Sequence, residues 1–274
     1  MKGKLYFFTV LIFGISIIVA STAFLEAKKT DTAIQKDLEI QRALAYGEIQ
    51  NVMAAHTYCY EAQKQYYEIE NFWSKRDDIS YGASNPTREA AINYYCKTND
   101  AAHKAKLKKM SELFPDEIKN VKENEGVGDM VIHLATTPYI EVAADCKTAK
   151  GLWYVPSLNV EIDQNGDPVP VTIWEKDEVD FIKEDGHWKI WHFNQWVQFA
   201  ASVDKSVVDG SFRLSRPFFN PQPTGQQTDQ VQKNTEQARD ARDKNYSTKR
   251  VAGWAPELPM PYNTWDDIKA GASK

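Results

Sequence analysis

Cysteine is scarce in this chain: three residues in 274, at Cys59, Cys96 and Cys146. An odd count rules out a complete set of internal pairs, and no C-x-x-C occurs, which argues against a zinc ribbon or a thiol redox motif. One disulfide fits an oxidising compartment, but the spacing does not choose the pair. Basic residues do not dominate either. With 33 Lys and Arg against 38 Asp and Glu, the net charge is −5, and the basic stripe of a nucleic-acid binder is missing. No glycine-rich phosphate cradle, no G-x-S-x-G elbow and no internal repeat is present, so the common nucleotide and serine-hydrolase signatures are out. No i, i+4 ligand spacing links the stronger histidine candidates, and no metal or organic cofactor is expected.

What the chain has in quantity is aromatic surface, with 8 Trp and 13 Tyr in a composition that is 42% hydrophobic and 26% charged. That is ordinary globular composition. The aromatics suit core packing, or the lining of a pocket for a flat ligand.

The N-terminus reads as a targeting segment. Lys2 and Lys4 precede an apolar run from Leu5 to Ala20, followed by Ser21, Thr22 and Ala23. This is the layout of a secretory signal, with cleavage after Ala23 or Ala27. The stretch from Leu5 to Leu25 is also long enough to serve as an uncleaved anchor, with the domain outside. Either way the domain is expected to be exported, periplasmic or extracellular, and to meet the membrane only through this segment.

Residues 28–45 are polar and helix-compatible, a lead-in helix or tether. From Glu48 to Glu61, Ile49, Val52, Met53, His56 and Tyr60 recur at three and four, the spacing of one helical face. A second helix is expected over Tyr66 to Trp73, a short strand over Ile79 to Gly82, a Thr87-capped helix to Tyr95, and a basic-faced helix over Ala101 to Leu113. After Met130 the period falls to two. Strands are expected at 130–142, 147–155, 170–184 and 187–199, with turns at 145–147, 163–167 and 184–186. Helices followed by antiparallel strands define an α+β class. The domain takes residues 46–200. Residues 201–274 form an extended Pro-rich and polar tail, with one polar helix around 227–243. Its last apolar cluster, Trp254 to Trp265, is suited to clamp the domain or a second subunit.

Three segments in this order carry a resemblance: EIQNVMAAHTYCYEAQKQYYEIENFWSKRDDISYG from Glu48, HLATTPYIEVAADCKTAKGLWY from His133, and WEKDEVDFIKEDGHWKIWHF from Trp174. Together they resemble the SnoaL-like branch of the nuclear transport factor 2-like superfamily over roughly residues 45–200. The resemblance implies a cone-shaped, curved antiparallel or mixed sheet wrapped around the N-terminal helices, a pocket at one end, and a homodimer. It implies either a cofactor-independent lyase, dehydratase or isomerase acting on a hydroxylated or carbonyl-bearing aromatic or polycyclic small molecule, or a non-catalytic ligand-binding or dimeric module. Fold alone does not choose between them.

Cofactor-free proton transfer needs a base, an acid and a group that holds developing negative charge. His133 matches the position where relatives carry a cavity histidine. Near the end of the first long helix relatives often carry Tyr and Asp; here stand His56, Tyr58, Tyr60 and Glu61, with no Asp. Tyr58 is the candidate oxyanion donor and Glu61 a substitute base or orienter, while His56 is either ligand contact or core. In the last strand Trp188, Ile190, His192, Asn194 and Trp196 alternate onto one face, which would turn His192 and Asn194 inward. Glu175, Asp177, Val179 and Phe181 form the matching face of the strand before it, so Asp177 is a candidate partner for a pocket histidine. Trp73, Trp153 and Trp191 are candidate stacking walls. Asp78, from the run Lys75 to Asp78, is either an ion-pair residue or a group at the pocket mouth.

Overall fold

The computed structural model describes residues 2–118, 130–162, 167–203 and 258–266, with side chains from residue 28 except at 102, 103, 106, 117, 118, 161 and 162. The 163–166 turn and the 227–243 helix lie outside the described residues, and the targeting function expected of 1–27 rests on side chains that lie outside them too. Among the residues from 28 onward whose side chains are described, no helix is long and apolar enough to cross a membrane.

Helix α1 runs unbroken from Lys2 to Glu61, so the lead-in and the first domain helix are one element. Its buried positions, Ala45, Ile49, Val52, Met53 and His56, repeat at three and four, and that stripe packs against the sheet. Helix α2 (Gln65–Phe72) follows, burying Gln65, Glu68 and Ile69. Helix α3 (Arg88–Ile92) begins where the Thr87 side chain accepts a hydrogen bond from the Ala90 N–H, as the sequence predicts. It continues through a π-helical segment, Asn93–Thr98, into α4 (Asn99–Leu113). A short α5 (Pro115–Ile118) ends this part.

The strands are β1 (Ser80–Tyr81), β2 (Met130–His133), β3 (Thr136–Val142), β4 (Thr148–Ile162), β5 (Pro168–Glu184) and β6 (His187–Ser202). They form one curved, unclosed mixed sheet in the order β1-β6-β5-β4-β2, with β3 also on β4. Among the described strands only β1 runs parallel to its neighbour. The strand expected at 130–142 is two strands, because β4 is long enough to pair with β2 along 157–160 and with β3 along 149–154. The break falls just after His133. The hairpin between β5 and β6 turns at Asp185 and Gly186, both with positive φ, as a tight two-residue turn requires.

Two irregularities bend β6. Asp180 pairs with His192 but Phe181 with Ile190, which leaves Trp191 as an extra residue; Gln198 is skipped in the same way near Trp174. Each bulge sharpens the local twist and helps the sheet curl. The first also changes which side chains face the core, with consequences for the site. The concave face carries Trp153, Val155, Val179, Phe181, Ile190 and Phe193 against the helices. All three cysteines are buried and free. Burial pushes the Cys59 thiol up to about 11 and the Cys96 thiol up to about 12, so both stay protonated and unreactive near neutrality.

The described part of the tail, 258–266, lies on the convex side. The Tyr262 hydroxyl donates to Asp180 at 2.9 Å, and the Trp265 N–H donates to Asp145 at 2.9 Å. The Trp191 ring meets both Tyr262 and Trp265, and the Arg76 guanidinium stands over Trp191 and Trp265. The tail thus clamps its own domain at this point.

Trp153 sets a steric limit on its strand. A Cβ at Gly151 would stand 2.2 Å from the Trp153 ring, and that ring is 2% exposed and packed edge-on to Phe181. Gly151→Ala must displace the indole. Thermal unfolding is expected to show a loss of about 1–3 kcal/mol, and an unchanged midpoint would contradict this packing.

Candidate functional site

Inside the sheet, polar side chains from five elements converge. Helix α1 supplies His56, helix α2 supplies Glu68, β2 supplies His133, β4 supplies Ser157, and β5 supplies Glu175 and Asp177. Exposure is 2% at His56, 4% at His133 and 0% at both Glu68 and Asp177. Such groups are costly to bury unless they are bonded or used.

Glu68 is fully bonded. Its Oε1 accepts from Trp73 Nε1 at 2.7 Å and lies 2.8 Å from His56 Nδ1, and its Oε2 accepts from the Tyr95 hydroxyl at 2.5 Å. The carboxylate holds a proton on His56 Nδ1 and so presents Nε2 to the interior. Burial opposes charge on His56, but Glu68, by charge and hydrogen bond, and Asp177 outweigh it and raise the imidazole above its ordinary value.

His133 sits at the last position of β2, opposite Ser157 on β4. Its backbone N–H donates to Glu61 Oε1 at 2.8 Å. Its Nδ1 lies 3.0 Å from Ser157 Oγ and 3.6 Å from Glu175 Oε1, and its Nε2 lies 3.8 Å from Asp177 Oδ2. The two imidazoles meet edge to face, with centroids 5.8 Å apart. Tyr60 lies against His133, and Phe193 against His56.

Asp177 is the exceptional member. It is fully buried, yet among the described residues neither carboxylate oxygen has a hydrogen-bond partner. At 3.8 Å His133 is too far for a hydrogen bond. Glu175, two residues back on the same face, accepts from Gln195 Nε2 at 2.8 Å. Burial and the neighbouring Asp177 charge raise the Glu175 carboxyl to about 8, against the opposing pull of His133 and Gln195.

Of the residues singled out from the sequence, His133, Asp177 and His56 come together. Glu61 reaches the group only through the His133 main chain. Trp73 is buried and serves Glu68 rather than an open wall. Trp153 is core. The others lie elsewhere. Tyr58 is 72% exposed, since two helical residues turn it about 200° from His56. The Trp191 bulge sends Phe193 rather than His192 to the concave side. His192 faces Asp180, with Nδ1 2.9 Å from Oδ2, and Asn194 pairs opposite Glu178 on that same convex side. Asp78 lies outside the cluster: Arg76 grips it through two hydrogen bonds and Trp191 Nε1 donates to it.

Glu68, Tyr95 and Ser157 are not among the residues that the sequence singles out, and Glu175 stands there only as a member of a strand face. Glu68 had a readable signal: Gln65, Glu68, Ile69 and Phe72 share one helical stripe, which puts an acid on the apolar side. Ser157 had none, because the strand register that sets it beside His133 is not in the local pattern.

The SnoaL-like domain family matches residues 41–194, more than half of the sequence, and the chain belongs to this family within the nuclear transport factor 2-like superfamily. Among solved structures, a hexachlorocyclohexane dehydrochlorinase, LinA Type2, is similar at 15% identity and a TM-score of 0.41, covering 61% of this chain and 95% of that one. The LinA-type3 dehydrochlorinase from Novosphingobium barchaimii LL02 is similar at 15% identity and a TM-score of 0.39, covering 61% and 96%. Neither likeness assigns a reaction to this chain. The sequence has no significant match among curated proteins.

The Glu175 carboxyl gives a pH test. Its folded value, about 8, lies above its ordinary 4.5. The folded state therefore holds the proton more tightly, and stability falls as pH rises through that window. Glu175→Gln keeps the shape and cannot ionise. Denaturant unfolding from pH 5 to 8.5 should show wild type losing on the order of a few kcal/mol relative to the variant. Parallel curves would remove the buried, proton-holding carboxyl.

Proposed function

We propose that this domain is a small-molecule lyase of the dehydratase type, or an isomerase, that works by histidine acid–base chemistry. The observation that carries the reading is the convergence of two imidazoles from separate elements on one unpartnered, buried carboxylate. His133 Nε2, with the Asp177 carboxylate 3.8 Å from that same nitrogen to stabilise the imidazolium, takes a proton from carbon. His56, which Glu68 favours in its protonated form, returns a proton to the departing hydroxyl or to the isomerised carbon. In the elimination the C–H electron pair becomes the new double bond, the C–O bond breaks, and water leaves. Tyr60, Tyr95 and Phe193 beside the histidines suit a flat substrate, and the class we infer is a hydroxylated or carbonyl-bearing aromatic or polycyclic molecule.

Full burial favours one other reading. With His56, His133 and Asp177 all at or below 4% exposure, the same domain serves as a non-catalytic ligand-binding or dimeric module if its wall does not open. In both readings the domain is exported and paired, on the support of the lysine-flanked apolar run and of family resemblance. Turnover separates them. His133→Ala, checked for folding by circular dichroism, should lose roughly 10²–10⁴-fold in elimination from a panel of aromatic alcohols. Unchanged turnover would exclude His133 as the proton shuttle, and no turnover by wild type across the panel would favour the binding module.

A further inference from the structure

Buried side chains that have no partner mark places where something else belongs. Asp177 is such a group: 0% exposed, with both carboxylate oxygens unpartnered. A nearby cation or donor is what a buried carboxylate needs, and the described residues supply neither within hydrogen-bond reach. What it supplies is two imidazole nitrogens. One ligand atom from each of His56, His133 and Asp177 lies within 4.8 Å of the other two.

We propose that His56, His133 and Asp177 bind a divalent transition-metal ion of the zinc class. Metal–ligand bonds of about 2.0–2.2 Å place ligand atoms roughly 3.3 Å apart in a tetrahedral site. The His133 Nε2 to Asp177 Oδ2 separation is 3.8 Å, so half an ångström of rotamer adjustment closes that edge. Two nitrogens and one carboxylate select zinc, cobalt, nickel or iron(II) over magnesium and calcium, which prefer all-oxygen shells.

The outer shell has the same logic. The far nitrogen of His56 is bonded to the Glu68 carboxylate at 2.8 Å, and the far nitrogen of His133 to Ser157 Oγ at 3.0 Å. Histidine ligands almost always give their second nitrogen to an oxygen acceptor, which fixes the tautomer and aims the first at the metal. Here both rings are aimed inward before any ion arrives. Glu68 is itself held by Trp73 and Tyr95, so the orientation does not depend on a flexible surface contact. No local spacing motif marks this site, because its ligands come from an α-helix and two strands far apart in the chain.

The ion would occupy the lone pairs that the proton-transfer reading assigns to His133 and Asp177. The metal-loaded form is therefore the blocked form of that chemistry, and only this consequence rests on that reading. Binding itself is read without a substrate, so either idea can fail alone.

The test uses the full chain without a histidine tag, stripped with chelator. Cobalt(II) titration should give a visible ligand-field band that saturates at one ion per chain and is displaced by zinc, and zinc should raise the thermal midpoint. Asp177→Asn, nearly the same shape, and His133→Asn should each lower affinity at least 100-fold, and Glu68→Gln roughly 10–100-fold. If one variant fails to fold, the other decides. No cobalt band with folded wild type would overturn the proposal. Affinity unchanged in both Asp177→Asn and His133→Asn would overturn it too, since the ion would then sit elsewhere.

Discussion

The Glu68 carboxylate binds three otherwise separate pieces of the fold to one another. His56 comes from α1, Trp73 from the chain leaving α2, and Tyr95 from the π-helical segment. Each meets Glu68 through a ring N–H or hydroxyl, at distances from 2.5 to 2.8 Å. A buried carboxylate with that many partners is stable where a lone one would not be. Trp73 also bridges to Ile190 on β6, so the same interaction seats the helices against the sheet. The π-helical segment fits this role: one extra residue in the turn rephases the helix, and in this segment Tyr95 and Cys96 are buried. The orientation of His56 is a by-product of how the layers are joined.

What the sequence disclosed follows from how local each determinant is. Strand alternation placed Glu175, Asp177, Val179 and Phe181 on one face, and all four are buried, because β5 keeps its period throughout. The same reasoning applied to β6 sent His192 and Asn194 inward. Trp188 and Ile190 do face the core, but the extra residue at Trp191 moves the inward set to Phe193 and Gln195. A shift of one residue exchanges the two faces of a strand, and nothing in the string WKIWHFN marks where the bulge falls. His133 was legible for a different reason. The resemblance puts a cavity histidine at that position, shortly before a Thr-Pro break, and the structure ends β2 there because β4 changes partner.

The two sides of the sheet carry contrasting polar groups. On the convex side His192, Asp180 and Tyr262 share solvent, and Asp180 accepts from Tyr262 while Lys150 lies over the Tyr262 ring at 4.2 Å. These contacts are partly hydrated and individually small. Their value lies in holding the tail against the domain along Trp191, the bulge residue. The bulge therefore has two effects at once. It removes His192 from the interior, and it turns an indole outward to where Tyr262 and Trp265 can cover it.

The interior is where charge balance is tight. Glu68, Glu175 and Asp177 lie within one buried region that also holds two imidazoles. Three full negative charges could not be buried together at neutral pH. The structure resolves this by pairing Glu68 with His56, keeping a proton on Glu175 through burial and the Asp177 charge, and leaving Asp177 as the one acid without donors. An apolar residue at 177 would pack more cheaply against Trp153, its neighbour across the sheet. A carboxylate in that position is useful only to something that arrives with positive charge or with a proton to lose. A substrate C–H beside His133 and a metal ion between the imidazoles are two forms of that same requirement, and both draw on the orientations that Glu68 imposes on His56 and Ser157 on His133.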